Sequence, residues 1–188
     1  TCHNAKNNGW HAPPLPLCTY DTIAYSTVIN AWTSNGDAER AEALLKRMYN
    51  KFVEGNKEAR PDVQTFNTVV AAWSKSKDKR KAPERAESIV DRMRDLSSQG
   101  VLDVKPNVVT YSSLMNCWSR SGRKDTGVRA EGILDEMENQ YESGKDKTLQ
   151  PNTIAYSTVI NAWTSNGYAE RAEALLKRAY NKFVEGNK

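Results

Sequence analysis

Cysteine is scarce in this chain. Cys2, Cys18 and Cys117 are the three present in 188 residues, an odd count without framework spacing. That excludes a disulfide-stapled scaffold and suits a reducing compartment. No apolar run approaches the ~20 residues a helix needs to cross a bilayer. The two histidines, His3 and His11, stand near Cys2 and Cys18 at a spacing that matches no usual zinc pattern, so no metal site is expected. Also missing are a glycine-rich phosphate loop, a supported nucleophile–base pairing, and an HxE or CxxC deaminase signature. No cofactor and no enzyme activity are therefore expected. Net charge is only +4, which permits an anionic partner without demanding one. Continuous strand-type alternation is absent as well, which argues against a β fold.

What the chain has is repetition. Residues 22–57 and 153–188 are the same 36-residue text, differing at two positions: Asp37 against Tyr168, and Met48 against Ala179. Two diverged units lie between them, opening on "PDVQTFNTVVAAWSKS" from Pro61 and "PNVVTYSSLMNCWSRS" from Pro106. In every unit an aromatic (Tyr25, Phe66, Tyr111, Tyr156) precedes a tryptophan (Trp32, Trp73, Trp118, Trp163) by seven residues. Apolar pairs fall between them: Val28/Ile29, Val69/Val70, Leu114/Met115 and Val159/Ile160. Spacings of three, four and seven put this set on one helical face, helix A of each unit.

Each A segment ends in polar residues, with Gly36, Gly122 and Gly167 as helix stops. Then comes Arg-Ala-Glu (Arg40–Glu42, Arg85–Glu87, Arg129–Glu131, Arg171–Glu173), an apolar pair, and Met48, Met93, Met137 or Ala179. This second segment, helix B, is amphipathic and rich in helix formers. Its alanine, at a fixed register, lets a neighbouring helix approach closely. The glutamates recur because this scaffold recurs, and read as surface or helix-pairing residues. Both aromatic columns occupy core-facing positions. Cys117, beside Trp118, reads as a small buried residue.

A two-helix unit cannot bury its apolar stripe alone, so the units must stack. The expected organisation is a linker or the end of a preceding repeat at 1–20, where the prolines at 13, 14 and 16 forbid a continuous helix around Trp10. Repeats then follow at 21–62, 63–107, 108–152 and 153–188, the last truncated. Both termini look cut, and the chain reads as a piece of a longer protein.

The openings "PDVQTFNTVV" and "PNVVTYSSLM", with a methionine late in helix B, resemble the pentatricopeptide repeat family over about residues 21–188. The units are longer than the family's, with 13 residues from Met48 to Pro61 and from Met93 to Pro106, and 14 from Met137 to Pro151. Insertions therefore sit in turns and at helix-B ends, where a solenoid tolerates them. Tetratricopeptide spacing is not matched. The resemblance implies an all-α fold, a right-handed α-solenoid of stacked helix-turn-helix repeats. It further implies single-stranded RNA as partner, read one base per repeat, in an organelle (mitochondrion or chloroplast) where transcripts are processed, stabilised or translated. Family members recruited as structural subunits of assemblies such as an organellar ribosome make a protein-binding scaffold the alternative.

The resemblance also assigns roles. The residue after the helix-A aromatic and the last residue before the next unit would read each base. Ser26 with Asp62 implies guanine, Asn67 with Asn107 a pyrimidine, Ser112 with Asn152 adenine, and Ser157 a purine. Together they spell 5′-G-Y-A-R-3′. Ile23, Val109 and Ile154 would pack on base faces, a role that Gln64 does not fit. Lys75 and Arg120 would contact phosphates, where units one and four carry Ser34 and Ser165. The basic run Lys75, Lys77, Lys79, Arg80 and Lys81 is equally well read as a solvated loop.

Overall fold

The computed structural model of the chain describes residues 21–185, and among them it contains eight α-helices and no strand. They are α1 Thr22–Ser34, α2 Ala38–Val53, α3 Val63–Lys75, α4 Ala82–Ser98, α5 Val108–Ser119, α6 Thr126–Glu142, α7 Thr153–Ser165 and α8 Ala169–Glu185. The odd-numbered helices are the A segments and the even-numbered ones the B segments. Each unit is an antiparallel helix pair, as the short polar linkers require. Trp10, Cys2, His3, His11 and Cys18 lie outside the described residues.

Local chemistry sets the helix starts. Every A helix begins after an Asp or Asn whose side chain accepts from the first-turn backbone. Asp21 takes the Ala24 N–H at 2.8 Å, Asp62 that of Thr65 at 2.7 Å, and Asn152 that of Ala155 at 3.0 Å. Asn107 and Thr110 form a reciprocal capping box at the start of α5. Between the helices of unit one, Gly36 adopts φ +73°, a left-handed conformation that costs a non-glycine residue strain.

Packing is asymmetric, and this shapes the stack. Each A helix lies against the A helix of the next unit, α1 on α3, α3 on α5 and α5 on α7. Each B helix packs on its own A helix, and α2, α4 and α6 also pack on the following one, whereas no comparable packing joins successive B helices. The A row therefore forms a continuous close-packed layer, while the B row is splayed apart. Fully buried alanines mark the closest approaches: Ala41, Ala86 and Ala130 from the Arg-Ala-Glu column.

The insertions after helix B are structural. In units one and three they form single 3-10 turns, Lys57–Ala59 and Lys147–Leu149, which return Ala59 and Leu149 to the core. In unit two the extended 101–106 segment does the same with Leu102 and Val104. Met48 packs with Tyr25 and Ala59, so this methionine fills the space between α1 and the 3-10 turn. At the other altered position, Asp37 caps α2 by accepting from the Arg40 N–H at 3.0 Å. Tyr168 instead packs edge-on against Trp163, ring centroids 5.4 Å apart.

Cys117 is buried in α5, its Sγ 3.8 Å from the Val70 carbonyl of the preceding unit. Burial pushes its thiol up to about 12, because a thiolate there would lose its hydration. The neutral thiol is thus favoured by folding. That stabilisation is complete below the ordinary thiol value of ~8.5 and drains away as pH rises towards about 12. Iodoacetamide at pH ~9 should accordingly leave Cys117 unlabelled in the native chain and label it on unfolding, as read by peptide mass spectrometry. Rapid native labelling would contradict the buried placement.

Candidate nucleic-acid interface

The residues expected from the sequence to meet bases fall on the N-terminal half of the A row. Ser26, Asn67, Ser112 and Ser157 are each the fifth residue of their A helix, and Asp62, Asn107 and Asn152 are the N-caps of the next one. Because A helices pack side by side, the fifth residue of one unit lies towards the cap of the unit after it. At unit one, the Ser26 and Thr65 hydroxyls are 3.2 Å apart, and Thr65 donates to Asp62 Oδ1 at 2.6 Å. A three-member polar chain thus joins Ser26 to Asp62. Both bonds to Asp62 fall on Oδ1, and Oδ2 takes none from the described residues.

Unit two is closed more tightly. Asn67 Nδ2 donates to Asn107 Oδ1 at 3.3 Å, and the Thr110 hydroxyl donates to Asn67 Oδ1 at 2.5 Å. Both ends of the Asn67 amide are engaged within the protein, and the side chain is buried. Ser112 is half-buried. Ser157, exposed, turns its hydroxyl back to the Thr153 carbonyl at 2.7 Å.

The second residue of each A helix behaves differently from the core-facing set. Ile23, Val109 and Ile154 are 75%, 57% and 65% exposed. Burial of such side chains is worth ~1.5–3 kcal/mol each, a gain that none of the three has taken up in this fold. Gln64, the unit-two counterpart, is also exposed but polar.

The basic residues gather at the opposite end of the A row. Lys75 ends α3 and Arg120 is the C-cap of α5, both exposed. Cations at a helix C-terminus are favoured by its dipole, which is by itself a structural reason for them. They stand about 12 Å along the helix axis from the fifth residue, at 1.5 Å rise per residue. Lys77, Lys79, Arg80 and Lys81 are exposed in the following loop and helix cap. Lys81 is tied to Glu39 at 2.7 Å, and that hydrogen bond holds its ammonium above the ordinary lysine value. Arg80 shares a surface cleft with Arg123 and Lys124.

Sequence reasoning missed the device that joins one unit to the next. From the second unit on, the helix-A tryptophan donates its indole N–H to the Arg-Ala-Glu glutamate of the preceding unit: Trp73 to Glu42 at 3.0 Å, Trp118 to Glu87 at 2.9 Å, and Trp163 to Glu131 at 2.9 Å. At the first and third joints the arginine of the incoming unit grips the same carboxylate, Arg85 on Glu42 and Arg171 on Glu131. At the middle joint Arg129 instead lies over the Trp118 ring, 5.5 Å from its centroid. Glu42 and Glu131 are buried and bonded across helices, so of the two expected readings, surface or helix-pairing, it is the second that holds for them. The signal was present as two invariant columns in register, but no periodicity within one unit shows that they meet across units. Trp73, Trp118 and Trp163 are buried core residues, and Trp32 packs partly buried against the core.

Among the described residues, no group of three or more His, Cys, Asp or Glu is placed to hold a metal ion. No helix of the described chain is long and apolar enough to cross a membrane.

Paired helices stacked through one continuous layer define the class: an all-α helical-repeat solenoid. The chain belongs to the pentatricopeptide repeat family. Models of the pentatricopeptide repeat domain match residues 53–120 and 100–166, and of the single repeat residues 23–51 and 154–179. It is similar to a pentatricopeptide repeat-containing protein of Arabidopsis thaliana, 38% identical over 63 residues, which is 34% of this chain and 10% of that protein. The chain thus aligns with about a tenth of the length of that curated relative.

Proposed function

We propose that the A row is a surface for single-stranded RNA, one base per repeat, and that the chain serves organellar RNA processing, stability or translation without catalysis of its own. Family membership supports the RNA class and the organellar setting. The observation carrying the reading further is the column of exposed aliphatic residues beside the polar pairs. Ile23, Val109 and Ile154 are left facing outward at one register, where the fold gains nothing from them. A base slotted between successive members would bury its faces against aliphatic carbon while its edge met the polar pair.

The pairs then supply the readout. Asp62 Oδ2, which takes no bond from the described residues, would accept from the N1 and N2 donors of guanine, with Ser26 at its side. Asn67 with Asn107 would take a pyrimidine, Ser112 with Asn152 adenine, and Ser157 a purine. Lys75 and Arg120 would face phosphates.

In fluorescence anisotropy, RNA bearing GYAR should bind at least ~10-fold more tightly than scrambled RNA, about 1.4 kcal/mol. Raising salt should weaken both by counterion release. Ser26→Asn should move the preference from G to U at the first position alone. Equal affinity for both RNAs would overturn the code.

A protein-binding scaffold, such as a subunit of an organellar ribosome, is the second reading. It is favoured by Asn67, whose amide is buried and bonded to Asn107 and Thr110, so that reading a base there requires those bonds to open.

A further inference from the structure

The four units differ in the loop that joins helix A to helix B. From the tryptophan to the Arg-Ala-Glu arginine it runs 8 residues in units one and four, 12 in unit two and 11 in unit three. In the two middle units this longer loop is basic. Residues 75–81 (KSKDKRK) and 120–125 (RSGRKD) together carry a net +6, against +4 for the whole chain, so the remainder is net negative. At the same place units one and four have Ser-Asn-Gly, Ser34–Gly36 and Ser165–Gly167, and no cation.

Stacking brings the two loops together, because α3 and α5 pack side by side. Arg80 of the first loop and Arg123 and Lys124 of the second line one open cleft of about 420 Å³. Bonds within the chain hold both loops in shape. The Lys81 N–H donates to Asp78 Oδ1 at 3.2 Å, and the Asp78 N–H donates to the Ser76 hydroxyl oxygen at 3.2 Å. The Ser121 and Thr126 hydroxyls are 2.9 Å apart, and Asn166 of the next unit donates to the Arg123 and Lys124 carbonyls at 3.2 and 3.1 Å. Ion pairing engages two of the cations: Lys81 with Glu39, and Arg123 with Glu84 and Asp125. Lys77, Lys79, Arg80 and Lys124 are exposed and enter no ion pair among the described residues. Helix electrostatics does not account for them. Lys79, Arg80 and Lys124 lie just before the starts of α4 and α6, where the dipole favours an anion. Unit one follows that rule with its Asp37 cap, whereas α4 starts from Lys81 with no side-chain cap bond. Cations within a Debye length of ~8 Å also repel one another. The fold therefore holds this charge against both effects, and Asp78 and Asp125 offset only a part of it.

We propose that the paired loops of units two and three form a phosphate-binding platform for RNA, separate from the base-reading column and indifferent to sequence. The proposal rests on the reading of the A row as an RNA surface. A phosphodiester backbone supplies strong acceptor oxygens at regular intervals, which suits lysines spread along one loop and a guanidinium set between two. The platform lies beyond the C-terminal ends of the A helices, more than ~12 Å from their fifth residues at 1.5 Å rise per residue. It therefore takes phosphates that flank the four bases, not those of the bases being read. Affinity comes from the flanks and discrimination from the column, so the two are separable by substitution.

Fluorescence anisotropy over a salt series tests this, with a GYAR tract set inside a longer uridine-flanked RNA and its scrambled counterpart. The combined variant Lys77→Gln, Lys79→Gln, Arg80→Gln, Lys124→Gln should bind both RNAs at least ~10-fold more weakly than the wild type. Its dependence of log affinity on log salt should be shallower by about 2–3, since each single-strand phosphate contact contributes ~0.7. The ratio between the two RNAs should stay as in the wild type. All four side chains are exposed, so the fold is left intact. A control, Arg47→Gln, Lys51→Gln, Arg92→Gln, Lys177→Gln, removes the same charge from the B helices and should weaken binding no more than ~2-fold. Unchanged affinity in the loop variant overturns the proposal, as does an equal loss in the control or a changed ratio between the RNAs. A wild type that binds both RNAs equally, with the loop-dependent loss intact, overturns the base code and supports the platform. A wild type that binds neither overturns both.

Discussion

Trp73→Ala is expected to cost ~3–5 kcal/mol of folding free energy, the range for truncating a large buried aromatic. Three effects act together. The indole is buried at the junction of α2, α3 and α4, so its removal leaves a cavity lined by close-packed side chains. Its N–H, 3.0 Å from Glu42, is the hydrogen bond that helps justify burying a carboxylate. Once it is gone, Glu42 keeps Arg85 and Lys46 but faces a void on its third side. The damage also sits at a joint. In a solenoid, stability is the sum of unit and nearest-neighbour terms, so weakening one joint uncouples unit one from the rest. Urea denaturation should therefore show an earlier and broader transition in this variant than in the wild type. Trp73→Phe preserves most of the packing and removes the donor alone, and should cost ~1–3 kcal/mol. Equal midpoints for Trp73→Ala and the wild type would rule out the joint as the element that couples the repeats.

The second large effect is expected at Glu138 of α6, where a buried carboxylate gathers partners from the following unit. It accepts from the Tyr156 hydroxyl and from Arg178, with Lys182 at 3.7 Å. Burial first, and then this carboxylate, hold the Tyr156 phenol well above its ordinary value, which favours the protonated, donating form. Removing one partner of a buried ion pair costs ~3–5 kcal/mol. Here the figure is lower, ~2–3 kcal/mol, because Arg178 keeps Asp135 at 2.7 Å and both cations reach solvent. Glu138→Leu should therefore loosen α7 and α8 rather than the whole chain. Amide exchange in α8 should accelerate by at least ~30-fold, the equivalent of ~2 kcal/mol, while α3 and α4 stay unchanged. Uniform acceleration throughout would mean that the stack unfolds as one unit. No acceleration would mean that Glu138 does not hold the fourth repeat.

Much of the molecule was legible before any coordinates. Tyr25, Ile29 and Trp32 recur at helical spacing, and that periodicity marks a helix whatever it packs against. Asp62, Asn107 and Asn152 entered from the sequence only as expected base readers; their capping bonds, each to a residue three positions on, came from the structure. The Arg-Ala-Glu glutamates were not legible in this way. Glu42 lies 31 residues from its indole donor and 43 from its arginine. Only the stacking distance between units decides whether such a pair is a surface accident or a buried link. Asn67 shows the same limit in the proposed interface, since its bond to Asn107 spans 40 residues and its bond from Thr110 spans 43.

The repeated stretch from Thr22 draws the line between the two kinds of information. Its sequence determined that both copies form the same helix pair, with the same faces and nearly the same caps. Periodicity and capping act over a few residues and are blind to position in the stack. Which copy buries Leu45 and which exposes Leu176, and which tryptophan finds a glutamate, the tertiary structure alone decided. Burial belongs to a pair of units rather than to one, and identical text acquires different energetics from its neighbours.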